Sequence, residues 1–157
     1  MRIGGHPVSP TPAKTKATRR ATSDMVEPSN EDGVVLVTGA SGYIGSHIVA
    51  NLLSKGRVVR GTVRDSSDPE RIDHLKEMEI AEGGGLEIVE MDLLNGDSVH
   101  SAVSGCRSVI HTAAVVVLKS KRPQEKIVDP SVIGTKNVLD AIDASGTVEH
   151  LVHTSST

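Results

Sequence analysis

Residues 34–45 read VVLVTGASGYIG. Val34 to Val37 is an apolar run dominated by β-branched side chains, which suits a buried strand. Thr38 and Gly39 break the run, and Gly39, Gly42 and Gly45 follow at three-residue steps. Ile44, Ile48, Val49, Leu52 and Leu53 then recur at helical spacing. The stretch therefore predicts a strand, a glycine turn and a helix. A helix start of this kind presents free N–H groups and the positive end of the helix dipole, a pairing that favours a phosphate. The glycines permit a tight turn, close approach of backbone to a pyrophosphate, and close helix–strand contact. Their spacing, TGxxGxxG, differs from GxGxxG, and its place between a strand and a helix is the context that gives it meaning.

The rest of the chain repeats that alternation. The first helix runs from about Tyr43 to Ser54 and ends at Lys55-Gly56. A second strand covers Val58 to Val63, with Arg60 and Arg64 at and just past its end. Asp68-Pro69 opens a helix carrying Ile72, Leu75, Met78 and Glu79, which the glycines 83–85 end. A third strand spans Leu86 to Met91, closed by Asp92-Leu93. A short helix capped by Asn95 or Asp97 runs through Val99, Ala102 and Val103. A fourth strand covers Ser108 to Thr112, Ala113 to Val117 stays small and apolar, and a charged loop occupies Lys119 to Lys126. The longest helix, about Pro130 to Ala144, turns Val132, Ile133, Val138, Leu139 and Ile142 inward, and His150 to Thr154 makes a fifth strand. Strands alternating with helices imply a doubly wound parallel α/β sheet, a Rossmann fold. With a phosphate turn after strand one the expected strand order is 3-2-1-4-5, cut before any further strands, with ligand at the switch point between strands one and four.

Composition narrows the function classes. At 157 residues the chain suits one domain. Residues 1–32 are rich in Pro, Ser, Thr and basic residues with little to bury, so they are expected to be disordered, leaving residues 33–157 as an incomplete dinucleotide-binding domain. Arg2, Lys14, Lys16, Arg19 and Arg20 precede the first acidic residue, Asp24, which allows organelle targeting; the absence of an apolar face favours a plain tail and a cytoplasmic protein. The net charge of −3 and the lack of a basic cluster in the folded part argue against nucleic acid, and the lack of a long apolar run argues against a membrane. The single cysteine, Cys106, excludes an internal disulfide. The seven histidines form no metal set, since His150 and His153 point to opposite faces of a strand. There is no Phe or Trp, and the one tyrosine, Tyr43, lies in the glycine turn.

VLVTGASGYIGSHIV resembles the cofactor turn of the extended short-chain dehydrogenase/reductases, the NAD-dependent epimerase/dehydratase superfamily. VVRGTVRD resembles the second strand of the dihydroflavonol reductase and cinnamoyl-CoA reductase relatives. VEMDLL, VIHTAA, DPSVIGTKNVLDA and LVHTSST match later segments of that family in order, so the resemblance covers Val34 to Thr157. It implies that Gly39, Gly42 and Gly45 hold a pyrophosphate, with the N–H groups of Tyr43 and Ile44 as direct donors. It places Arg64 on a ribose 2′-phosphate, assisted by Arg71, and Asp92 and Leu93 beside adenine. Ala113 and Ala114 fall under the nicotinamide ribose, and Ser156 matches the catalytic serine. Arg64 stands where an acidic residue would accept from a 2′-hydroxyl, so NADP(H) is expected over NAD(H). The residues alone leave other readings open. Arg60 or Arg64 is a solvated strand-end charge, Arg71 a helix surface cation, Asp92 a turn cap, and a one-residue slip exchanges Ser155 and Ser156. Asn137 has no assigned role.

Family catalysis adds a tyrosine and, four residues on, a lysine that lowers its pKa. Without such a cation a tyrosine near ~10 is a poor base at neutral pH. No YxxxK occurs, and Tyr43 is followed at the fourth place by His47. The resemblance therefore implies the NADP(H)-binding half of an oxidoreductase acting on CH–OH groups, a ketone or aldehyde reductase whose full-length form takes a small-molecule carbonyl or alcohol, and which is inactive as this chain alone. The alternatives are a non-catalytic NADP(H)-binding or sensing module, a truncated product without function, or the cofactor half of a 3β-hydroxysteroid dehydrogenase or nucleotide-sugar epimerase/dehydratase.

Overall fold

The computed structural model describes residues 33–114 and 121–155. The tail before Gly33, the segment from Val115 to Ser120, and Ser156 and Thr157 lie outside the described residues, and so do the expectations that fall on them. Five strands, β1 (Val34–Thr38), β2 (Val58–Val63), β3 (Gly85–Glu90), β4 (Cys106–His111) and β5 (His150–His153), alternate with four helices. These are α1 (Tyr43–Ser54), α2 (Pro69–Lys76), α3 (Gly96–Val103) and α4 (Asp129–Ser145). The strands lie in the order β3-β2-β1-β4-β5 and every neighbouring pair is parallel, as the alternation predicts.

Two cores flank the sheet, and the two-residue period of β1 divides them. Val34 and Leu36 face a cluster with Val58, Met91, Val99, Val103, Val109, Val138 and Ala141, beneath α3 and α4. Val35 and Val37 face Val49, Leu53, Val59, Val63, Ile72, Leu75 and Leu86, beneath α1 and α2. All five residues of β1 are buried. A strand covered on both faces reads as a continuous apolar run, which is why Val34 to Val37 shows no alternation.

Several expectations need correction. Thr38 closes β1 and does not break it. The second helix stops at Lys76, capped by Glu77, well before the glycines; Gly85 begins β3. The end of the expected charged loop, Gln124 to Lys126, belongs to a π-helical turn, Gln124–Val128, that runs straight into α4. The inward face of α4 is also different: Gly134, Val138 and Ala141 are buried and Ile142 is partly buried, while Val132, Ile133 and Leu139 are exposed. The buried face of α4 is made mostly of small residues, which pack against the core and the segment after β3. The larger side chains are turned away. Gly134 shows the reason, because a Cβ there would stand 3.1 Å from the Leu93 Cβ.

Candidate functional site

The site is built at the C-terminal ends of β1, β2 and β4, where the chain leaves the sheet. Gly39 leaves β1 with a φ of +70°, a conformation that side chains resist, and a Cβ on it would press 3.1 Å from the Ala113 Cα. Gly45 sits in the first turn of α1, where a Cβ would fall 2.1 Å from the Gly39 carbonyl oxygen, so no side chain fits. These two positions bring the helix start down onto the strand ends. Gly42 is the N-cap and offers no side-chain cap. The difference from the neighbouring helices is chemical: Asp68 accepts from the Glu70 N–H at the start of α2, and Asn95 accepts from Asp97 and Ser98 at the start of α3. At α1 the Ser46 N–H reaches the Gly42 carbonyl at 2.9 Å, but no acceptor among the described residues meets the N–H groups of Tyr43 and Ile44. Both residues lie at the surface, Tyr43 82% exposed with its ring edge-on to His47.

The strand ends beneath the turn are tied together by hydroxyls. Thr38 Oγ1 accepts from the N–H groups of Thr112 and Ala113, each at 3.1 Å, and lies 2.7 Å from His111 Nδ1. The Thr112 hydroxyl returns to the Thr38 carbonyl at 2.6 Å. Ala113 is thereby fixed below Gly39, and Ala114 beyond it is exposed. On the other side of β1, the Gly39 N–H donates to Thr62 Oγ1 and the Ala40 N–H to the Thr62 carbonyl.

The predicted cations separate by environment. Arg60 lies within β2 and is no solvated strand-end charge. Its Nε is 2.7 Å from Glu87, and its Nη1 donates to the carbonyls of Ala102 and Ser104 at the end of α3. A guanidinium there satisfies orphan carbonyls and meets the negative end of the helix dipole. Cys106 packs against it, and burial pushes its thiol pKa up. Arg71 pairs with Asp68 at 2.8 Å on the surface of α2. Arg64, just past β2, is exposed and makes no ion pair among the described residues. The nearby carboxylates are engaged elsewhere. Ser67 donates from N–H and hydroxyl to Asp65, and Ser66 does the same to Glu90, bonds that hold both carboxyls below their ordinary pKa.

Asp92 and Leu93 follow β3. One oxygen of the Asp92 carboxylate accepts from the Leu94 N–H, a turn cap, and the side chain remains exposed. Leu93 is held from α4. Gly134 abuts its side chain, and Asn137 Nδ2 donates to its carbonyl at 2.7 Å. Asn137, to which the sequence assigns no role beyond a surface or capping side chain, thus anchors the segment through the Leu93 carbonyl; its spacing of three from Gly134 is the sequence signal that was available. Thr38 and His111 carried no such signal, since their partners lie more than seventy residues apart in the chain. Ser156 lies outside the described residues; Thr154 and Ser155 follow β5, with the Thr154 N–H bonded to the His111 carbonyl at 3.0 Å.

Among the described residues no three His, Cys, Asp or Glu side chains gather to hold a metal ion, and no helix is long and apolar enough to cross a membrane. A parallel sheet in this order with an uncapped, glycine-lined helix start at its switch point is the architecture of dinucleotide binding. The model of the 3-beta hydroxysteroid dehydrogenase/isomerase family matches residues 36–157. The chain belongs to that family. It is 42% identical over 128 residues to cinnamoyl-CoA reductase CAD2 of Medicago truncatula, covering 82% of this chain and 39% of that protein. It is 38% identical over 122 residues to dihydroflavonol 4-reductase of Callistephus chinensis, covering 78% of this chain and 33% of that one. A solved uronate dehydrogenase variant from Agrobacterium tumefaciens in complex with NAD superposes with a TM-score of 0.59 at 27% identity, over 78% of this chain and 40% of the other. The family is one that binds NAD(P), and the chain spans well under half of these relatives.

Proposed function

We propose that this chain is the NADP(H)-binding half of a reductase acting on a CH–OH/C=O pair. The observation that carries the reading is Arg64: an exposed guanidinium without an ion pair among the described residues, just past the end of β2, the strand paired with the one that leads into the glycine turn. In this reading the turn at Gly39, Gly42 and Gly45 seats the pyrophosphate on the N–H groups of Tyr43 and Ile44. The fit rests on their lack of a protein acceptor and on glycine positions that a Cβ would fill. Arg64 grips the ribose 2′-phosphate. Arg71 assists only by leaving Asp68, so its share is smaller. Asp92, with one carboxylate oxygen engaged in the turn cap, accepts from the adenine amine while Leu93 covers the ring. Ala113 and Ala114 leave room for the nicotinamide ribose. When bound, the nicotinamide supplies or accepts the hydride, and the chain's own Ser156 hydrogen-bonds the substrate oxygen. The experiment is titration of NADPH and NADH against the wild type and Arg64→Ala. A charge-assisted bond stabilises by about 1.5–3 kcal/mol, so NADPH binds the wild type at least about tenfold tighter than NADH, and Arg64→Ala removes the gap. Equal affinities in the wild type overturn the assignment.

A second reading, a module that binds NADP(H) without turnover, is favoured by one observation: the sequence holds no YxxxK. A positioned general acid or base contributes about 10²–10⁴-fold in rate, and a serine hydroxyl alone does not replace it. The 157-residue chain is expected to oxidise no NADPH with a panel of aldehydes and ketones. Turnover that Ser156→Ala abolishes overturns that expectation and shows that the chain assembles its own proton-transfer apparatus.

A further inference from the structure

His111 ends β4 as one of three buried polar side chains among the described residues, with Thr38 and Thr62. Its surroundings determine its tautomer. A hydroxyl has one proton and two lone pairs. Thr38 Oγ1 receives the N–H groups of Thr112 and Ala113 at 3.1 Å each, so both lone pairs are taken. Its proton therefore goes to the remaining neighbour, His111 Nδ1, 2.7 Å away. Nδ1 can accept only if it carries no hydrogen. The ring is then neutral, with its proton on Nε2. A cationic ring would set two donors against each other at 2.7 Å and would release one of the two backbone N–H groups.

We propose that His111 is a positioning residue whose neutral imidazole, by accepting the Thr38 proton, commits that hydroxyl to the Thr112 and Ala113 N–H groups and so fixes the strand end under the glycine turn. The inference rests on the NADP(H) reading for what that strand end carries, and on geometry alone for how it is held. The groups around the ring favour the neutral form. His153 of β5 faces it with ring centroids 5.0 Å apart. α4 contributes Thr135, Val138 and Leu139, and β5 also Leu151, around a cavity of about 250 Å³ beside the ring. β1 contributes Thr38. None of these, among the described residues, supplies a carboxylate to balance a proton. Burial first, and the His153 charge second, depress the His111 pKa to about 4.

The decisive measurement is the ¹⁵N imidazole spectrum of the full chain between pH 5.5 and 8. A neutral ring with unprotonated Nδ1 and protonated Nε2 is expected throughout; an Nδ1-protonated or cationic His111 at pH 6 overturns the proposal. NADPH titration supplies the functional arm. His111→Leu removes the acceptor and weakens NADPH binding about tenfold, whereas His111→Asn, with an amide oxygen near the Nδ1 position, rescues it to within about threefold. A His111→Leu chain that folds and binds NADPH as the wild type does also overturns the proposal. If the wild type binds no NADPH, the cofactor reading fails, and the ring tautomer alone decides on His111; it also decides if His111→Leu does not fold.

Discussion

β1 and β5 are both short parallel strands, both hydrogen-bonded to β4, and both carry leucine and valine side chains, flanked in β5 by His150 and His153. β1 has strands on both sides and helices over both faces, and Leu36 is 0% exposed. β5 is an edge strand whose four residues are all exposed, Leu151 at 39%. The glycine turn hangs from the first, and Thr154 and Ser155 follow the second. The glycine-turn side of the molecule thus stands on a strand covered on both faces, while the segment leading to Ser156 follows a strand with one neighbour among the described residues.

The contrast predicts unequal costs for the same substitution. Leu36→Ala empties a site between two helix layers and is expected to destabilise by about 2–5 kcal/mol. Leu151→Ala is expected to cost below about 1 kcal/mol. Urea midpoints at constant slope check both; equal shifts would mean that β5 is as well covered as β1. Acid sharpens the comparison where His111 of β4, the strand between the two, meets His153 of β5. His111 has its folded pKa lowered from 6.5 to about 4, so the unfolded chain takes up the proton first. Stability is unaffected by this group above pH 6.5 and falls as pH drops from 6.5 toward 4, by about 3 kcal/mol in all. Melts of the wild type and His111→Asn across that window test it, and parallel curves would refute it. The smallest effect expected on the well-covered side is at Asn137. Asn137→Ala removes the donor to the Leu93 carbonyl and is expected to cost about 1 kcal/mol. A loss below a few tenths would show that water replaces the amide.

Local signals carried most of the fold. The strand–glycine–helix pattern, the caps at Asp68 and Asn95, and the βα alternation act over a few residues, and each appears in the structure where the sequence puts it. Family resemblance singled out candidate segments, and the structure brings four of them, Gly39, Ala113, Arg64 and the start of α1, to one end of the sheet. The expectations that failed depend on distant partners. Arg60 looked like a strand-end charge because Glu87 and the end of α3 are far along the chain. The rotation of α4 was misjudged because apolar periodicity favours the large residues Val132, Ile133 and Leu139, while close packing against Leu93 selects Gly134.

By itself the sequence determined the element order, the parallel sheet, the glycine turn and the lack of a YxxxK pair, because each depends on residue type and spacing alone. Only the tertiary structure decided that Arg60 and Arg71 are paired while Arg64 makes no ion pair among the described residues, which face α4 buries, and that Thr38, His111, Thr112 and Ala113 form one network. Those are matters of who meets whom in space. A hydroxyl proton or a guanidinium finds its partner within about 3 Å, and chain separation puts no limit on which residue that is.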